Sequence, residues 1–149
     1  NMLQKMTIIG YLGGDPQMRY TPDGTPVTNF SVATSERISK ERSASCPEGW
    51  KESPNGRHWE RTTWFRVTAW RSLAEVCNEY LAKGRLVYIE GQMSGSSEDG
   101  ELRPSIWYDN NGEARCSFEL TARDVKFLGG NSNGPSREEQ GRRFDPSEF

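Results

Sequence analysis

Trp64, Arg66, Thr68 and Trp70 occupy every second position of the stretch TTWFRVTAW, residues 62–70. Their types suggest stacking and charge pairing rather than bond-making chemistry. Threonine, valine and aromatics without Gly or Pro favour a strand, and a strand sends alternate side chains to opposite faces. Phe65, Val67 and Ala69 then form an ordinary core face. The other face carries two indoles with a guanidinium between them, over roughly 20 Å. An indole offers a π-face to any flat partner, and arginine offers a planar cation to an anion. The same row could instead pack beneath a loop as a second small core, and the spacing alone leaves both readings open.

Residue types suited to catalysis are sparse. His58 is the single histidine, and it lies in a polar stretch without a Ser or Cys partner at a motif spacing. Cys46 and His58 lack the paired Cys-x-x-Cys ligands that zinc takes. Cys77 falls on an apolar stripe and reads as a small core residue, while Cys46 and Cys116 belong to no motif. Three scattered cysteines agree with reduced thiols rather than a disulfide framework. The expectation is a protein without catalytic residues, metal or cofactor.

The 149 residues suggest one domain with a tail, long enough to bury a core. Only 33% of residues are hydrophobic and the mean hydropathy is -0.85, so much of the chain must face water. No apolar run approaches the ~18 residues of a membrane span, and no apolar signal-peptide region is present. A cytoplasmic protein that does not enter membranes is expected. Its formal charge is -2, which does not suggest a duplex-DNA binder. A polyanionic partner would have to be held by a few well-placed cations and by another force. Base stacking is one, at roughly 1–3 kcal/mol per base.

These residues need elements to position them. Residues 6–11 read as a short apolar strand, continued at 17–20 after a Gly-Gly-Asp-Pro turn. Residues 27–34 alternate, with Val27, Asn29, Ser31 and Ala33 on one face. Residues 39–61 are polar, contain two prolines and two glycines, and read as a long loop. After the Trp64 strand, Ser72 and Glu75 fit a capping box. Leu73, Val76, Cys77, Tyr80 and Leu81 then recur at helical spacing, and Gly84 reads as the stop. Residues 86–93 form the next strand, and the glycine-rich acidic segment 94–101 breaks it. Extended structure resumes at 102–108, Asp109-Asn-Asn-Gly112 is a hairpin turn, and 114–128 complete a sheet. Three strands, one helix and two strands match the order of the oligonucleotide-binding (OB) fold, a five-stranded Greek-key barrel.

Three ordered blocks carry a resemblance: GYLGGDPQMRYTPDGTPVTNFSVAT (10–34), WFRVTAWRSLAEVCNEYLAKG (64–84) and VYIEGQ (87–92). They resemble the bacterial-type single-stranded DNA-binding proteins, the SSB family. The resemblance implies an OB-fold domain over 1–130, with the helix between the third and fourth barrel strands and a long hairpin between the fourth and fifth. It implies a homotetramer that wraps single-stranded DNA non-covalently during replication, recombination and repair. Trp64, Trp70 and Trp107 match family positions that stack on bases, and Arg19 and Arg66 match basic positions on the DNA path. Arg103 is the one cation that precedes Trp107 in its hairpin. Tyr88 and Glu90 match a strand near the assembly surface.

The chain also departs from the family pattern. Ile38 stands where a further family tryptophan falls, while Trp50 and Trp59 sit in the enlarged 39–61 segment. Residues 131–149 read as a disordered tail. Asp145, Glu148 and Phe149 correspond to the acidic family tip that recruits replication and repair proteins, although Arg142 and Arg143 lie beside them. The rival expectation is an OB-fold module that binds a protein or a carbohydrate instead.

Overall fold

The structure, a computed structural model, describes residues 1–129. The 131–149 tail, with Asp145, Glu148 and Phe149, lies outside the described residues.

Five strands close on themselves: β1 (Met6–Leu12), β3 (Pro26–Ser39), β5 (His58–Trp70), β6 (Leu86–Ser94) and β11 (Phe118–Leu128). β1 pairs with β3 and β6, β6 with β11, and β11 with β5 in parallel; β3–β5 pairing shuts the ring. This is the expected OB barrel. Two short strands widen it, β2 (Gln17–Tyr20) on β3 and β4 (Lys51–Glu52) on β5. Closure leaves the barrel strands with few free edges, which is how small β proteins avoid edge-to-edge pairing. Inward-facing Ile8, Leu12, Phe30, Val32, Val67, Ala69, Val87, Ile89, Leu120 and Ala122 form the core. Gly91 permits the closest approach in the barrel. A Cβ there would stand 2.0 Å from the Thr121 carbonyl oxygen, so no larger residue fits without moving backbone.

The helix α1 (Ser72–Tyr80) lies between the third and fourth barrel strands, as expected, and packs against β3 and β5. Its ends differ from the sequence expectation. Arg71, at φ 57°, is the N-cap, and no side chain caps the helix. Ser72 is therefore the first helical residue, one position too far in for its hydroxyl to act as a cap. The Arg71 N–H donates instead to the Pro26 carbonyl at 2.9 Å, so barrel pairing fixes where the helix begins. Leu81 is buried at the core with extended backbone, and its burial ends the helix three residues before Gly84. Of the apolar stripe, Cys77 is buried, whereas Val76 is exposed. The Thr28 hydroxyl donates to the Ala74 carbonyl at 2.7 Å and ties α1 to β3.

The 39–61 segment is the larger correction. β3 and β5 pair in unbroken register from Val27↔Trp70 to Ser39↔His58, and β4 adds to β5 through Lys51↔Glu60 and Glu52↔Trp59. A three-stranded ribbon takes up the two ends of the segment and Lys51–Glu52, while residues 40–50 and 53–57 remain turns and irregular backbone, as expected of a loop. Most of the ribbon's cross-strand pairs are polar: Arg61 Nη2 lies 2.8 Å from Glu36 Oε2, and the Ser35 and Thr62 hydroxyls are 3.2 Å apart. A ribbon of mostly polar residues shows no apolar alternation, which is why composition reads it as a loop.

Between β6 and β11 the single long hairpin resolves into two. β7 (Ser96–Glu98) pairs with β8 (Glu101–Arg103), and β9 (Ile106–Tyr108) pairs with β10 (Ala114–Cys116). The Asp109–Gly112 turn joins the second pair as expected, with the Gly112 N–H donating to the Asp109 carbonyl at 2.9 Å.

Candidate nucleic-acid interface

β5 presents Trp64, Arg66, Thr68 and Trp70 on the face away from the core, and β3 supplies their cross-strand neighbours Ala33, Ser31, Asn29 and Val27. The Thr68 hydroxyl donates to Asn29 Oδ1 at 2.8 Å, which fixes the middle of the row. Trp64 is 53% exposed and Trp70 41%. Indoles sealed under a loop would be nearly covered, so the second-core reading of this row is wrong.

β2 and the β9–β10 hairpin build walls on either side. Two depressions, of about 650 and 520 Å³, share Arg19, Asn29, Arg66 and Trp107 and so form one groove. Trp64 and Met18 line the first, and Trp70 and Thr68 line the second. Each is large enough for a small organic group such as a nucleobase. Trp107, 47% exposed, belongs to both. Five of the six expected binding residues thus meet in one place, contributed by three separate parts of the chain.

Arg103 is the sixth and lines neither depression. It sits on the β7–β8 hairpin, 3.5 Å from Glu98 and 3.1 Å from Glu101. The acids that surround it in sequence hold it in space. Arg19 and Arg66, by contrast, have no carboxylate partner within ion-pair distance among the described residues. Two acids do line the groove, and each accepts one hydrogen bond from a neutral donor. Asp15 Oδ1 accepts the Lys83 N–H at 2.9 Å, and Glu119 Oε2 accepts the Ser105 hydroxyl at 2.9 Å. The groove therefore offers three π-faces and two uncommitted cations.

Two supporting features escaped the sequence reading. A Cβ on Gly13 would stand 2.4 Å from the Trp64 ring, so the bare backbone at Gly13 makes room for the indole. The signal was present in the Gly-Gly-Asp-Pro run but read only as a turn. Asp109 anchors the Trp107 hairpin by accepting the Asn111 and Glu113 N–H groups at 2.9 and 3.0 Å and Arg115 Nε at 3.0 Å. Those donors, the Glu113 N–H foremost and then Arg115, hold its carboxyl below the ordinary aspartate value. Arg115 is the cross-strand partner of Trp107, so this cluster sits directly beside the indole.

Trp50 and Trp59 pack within the ribbon, outside the groove. Trp59 Nε1 donates to the Ser43 carbonyl at 2.9 Å, Lys40 lies 4.5 Å over the Trp59 ring, and Arg61 lies 4.8 Å over Trp50. Tyr88 and Glu90 lie on β6, away from the groove. The Tyr88 hydroxyl donates to Glu90 Oε2 at 2.8 Å, and Lys5 Nζ is 2.8 Å from Glu90 Oε1. Lys5 first and Tyr88 second hold the Glu90 carboxyl low.

Among the described residues no cluster of His, Cys, Asp and Glu could hold a metal, and no helix is long and apolar enough to cross a membrane. The model of the Single-strand binding protein family matches residues 3–128. The chain is 39% identical to the single-stranded DNA-binding protein of Neisseria meningitidis serogroup A, over 92% of this chain and 68% of that one. It is likewise 39% identical to single-stranded DNA-binding protein 1 of Chlorobaculum tepidum, over 89% of this chain and 68% of the relative. Among solved structures, the Plasmodium falciparum SSB complex with ssDNA has a similar fold. Its TM-score is 0.57 at 23% identity, over 87% of this chain and 97% of that one. Extended over nearly all of the described barrel, these matches establish that the chain belongs to the single-strand binding protein family.

Proposed function

We propose that this protein binds and protects single-stranded DNA, with little regard to sequence, during replication, recombination and repair. The observation that carries the reading is the groove, where Trp64, Trp70 and Trp107 stand half-exposed beside Arg19 and Arg66. Every base has a π-face, so stacking holds any sequence, while the arginines track phosphates. Binding is non-covalent and needs neither turnover nor metal nor cofactor. Arg103 joins the phosphate path only by releasing Glu98 and Glu101, and so contributes less than Arg19 or Arg66.

The protein works in the cytoplasm, on the nucleoid, as a homotetramer. In that assembly Tyr88 and Glu90 lie at a protomer contact, on the outward side of β1 and β6, where Thr7↔Glu90, Ile9↔Tyr88 and Tyr11↔Leu86 make a partly apolar row. Asp145, Glu148 and Phe149 recruit replication and repair proteins.

Titration with oligo(dT), followed by tryptophan fluorescence, tests the reading. Binding should quench emission, and replacing Trp64 and Trp70 with Ala should weaken it by roughly 1–3 kcal/mol for each stack lost. Unchanged emission at saturating oligonucleotide would point to an OB module that serves a protein or a carbohydrate.

A further inference from the structure

Arg66 is free in the groove although a carboxylate stands on the next strand. β11 runs parallel to β5 with Glu119 opposite Arg66 and Thr121 opposite Thr68. Leu120 and Val67, between those two rows, are fully buried, so Glu119 and Arg66 both project away from the core. Both line the second depression. Neighbouring strands lie ~4.8 Å apart, and opposite charges directly across from each other attract. By position alone the two should form an ion pair. Instead the Glu119 carboxylate meets Ser105, whose hydroxyl donates to its Oε2 at 2.9 Å.

Ser105 occupies a place built to hold it. It lies between β8 and β9, at the root of two hairpins that share no ladder with the barrel. Its bond to Glu119 is, among the described residues, the one side-chain hydrogen bond from these hairpins to a barrel strand. The Ser96 hydroxyl donates in turn to Ser105 Oγ at 3.2 Å. An oxygen that accepts there keeps its own proton for Glu119, so both bonds run in one direction and strengthen each other. Gly95 allows the arrangement. A Cβ at that residue would stand 2.1 Å from the Arg103 carbonyl oxygen, so only glycine lets the two sides of the root approach this closely.

We propose that Ser105 is a positioning residue for DNA binding: it holds the Glu119 carboxylate off Arg66 and so keeps that guanidinium open to phosphate. The inference rests on the DNA-binding reading above and deepens it. Without the Ser105 hydroxyl, Glu119 turns to the guanidinium on the neighbouring strand, and a phosphate must then displace it.

The test uses the full chain and has two arms. In the first, the Arg66 Nε–H resonance is followed by NMR without DNA. Ser105→Ala should move it, and adding Glu119→Gln should return it towards the parent position, because the amide carries no charge. A resonance that Ser105→Ala leaves in place, or that stays displaced once the carboxylate is gone, overturns the proposal. The second arm measures oligo(dT) affinity across a salt series. Ser105→Ala should weaken binding by about two- to fivefold, the range of an exposed ion pair that phosphate has to break. Its log–log salt slope should be shallower, by roughly 0.7 where one phosphate contact is lost outright. In the Glu119→Gln background, whose side-chain carbonyl still accepts a hydroxyl, the same Ser105→Ala change should cost nothing. An equal loss in both backgrounds would mean that Ser105 only steadies the hairpin that carries Trp107, and overturns the proposal. Unchanged affinity and slope in Ser105→Ala would overturn it too. Failure of the parent to bind any oligonucleotide would instead remove the DNA-binding reading, while the Arg66 resonance would still report whether Ser105 holds Glu119 away.

Discussion

At the scale of single residues, the groove depends as much on what is absent beside an indole as on the indole itself. Trp64 can lie beside the turn after β1 only because residue 13 has no side chain; a Cβ would come within 2.4 Å of its ring. Gly13→Ala should therefore displace the Trp64 ring and weaken oligo(dT) binding, with a smaller change in the melting temperature. The ring edge is the group that must move, and it has half its surface in water to move into. Fluorescence titration beside a thermal melt checks this. A variant that melts far lower yet binds normally would show that Gly13 serves the turn and not the indole. The same logic separates Arg19 and Arg66 from Arg103. All three are arginines in polar surroundings, but only Arg103 has two carboxylates in reach, and exposed ion pairs of that kind hold a cation without adding much stability.

At the scale of elements, the β9–β10 hairpin is a two-stranded sheet apart from the barrel, and it must be held for Trp107 to reach the groove. Three donors converge on Asp109 at its turn. Its folded carboxyl lies below the ordinary value of 3.8, so its contribution is fully present above that pH. It is lost as pH falls through the lowered folded value. The Asn111 and Glu113 amide shifts, followed by NMR, should change with a midpoint below 3.8. Asp109→Ala should show the loosened shifts already at neutral pH, with a weakened quench from Trp107. A transition midpoint at or above 3.8 would mean that the hairpin holds itself without this carboxylate.

At the scale of the whole molecule, binding must work against a formal charge of -2. The groove answers with local placement: its arginines are uncommitted while its acids already accept hydrogen bonds. Residues 130–149 carry three arginines and four acids, a net charge of only -1 before the terminal carboxylate. Deleting them should leave the melting temperature and the assembly mass by light scattering unchanged. Affinity for oligo(dT) should change by less than about threefold, because so small a charge is largely screened at physiological salt. Recruitment is what the deletion should remove, through the loss of Phe149 and its neighbours Glu148 and Asp145. A pull-down with the intact chain and with Phe149 alone deleted decides this. Equal capture of the same replication and repair proteins would show that the tip has no part in it.

The sequence by itself determined the order of strands and helix along the chain, the Asp109 turn and the Trp64–Trp70 row. Each is written in local periodicity or turn chemistry, which a short window contains. Only the tertiary structure decided the rest. The helix starts at Ser72 without a side-chain cap because the Arg71 N–H is taken by Pro26, a partner 45 residues away in the chain. The ends of the 39–61 segment and Lys51–Glu52 pair as a ribbon in which cross-strand charge pairs and cation–π contacts replace the apolar alternation that would have announced it. Arg19, Arg66 and Trp107 become neighbours through barrel closure, and Arg103 is left outside. Which cations stay free depends on which carboxylates the fold brings within reach, and that is a property of three-dimensional distance rather than of spacing along the chain.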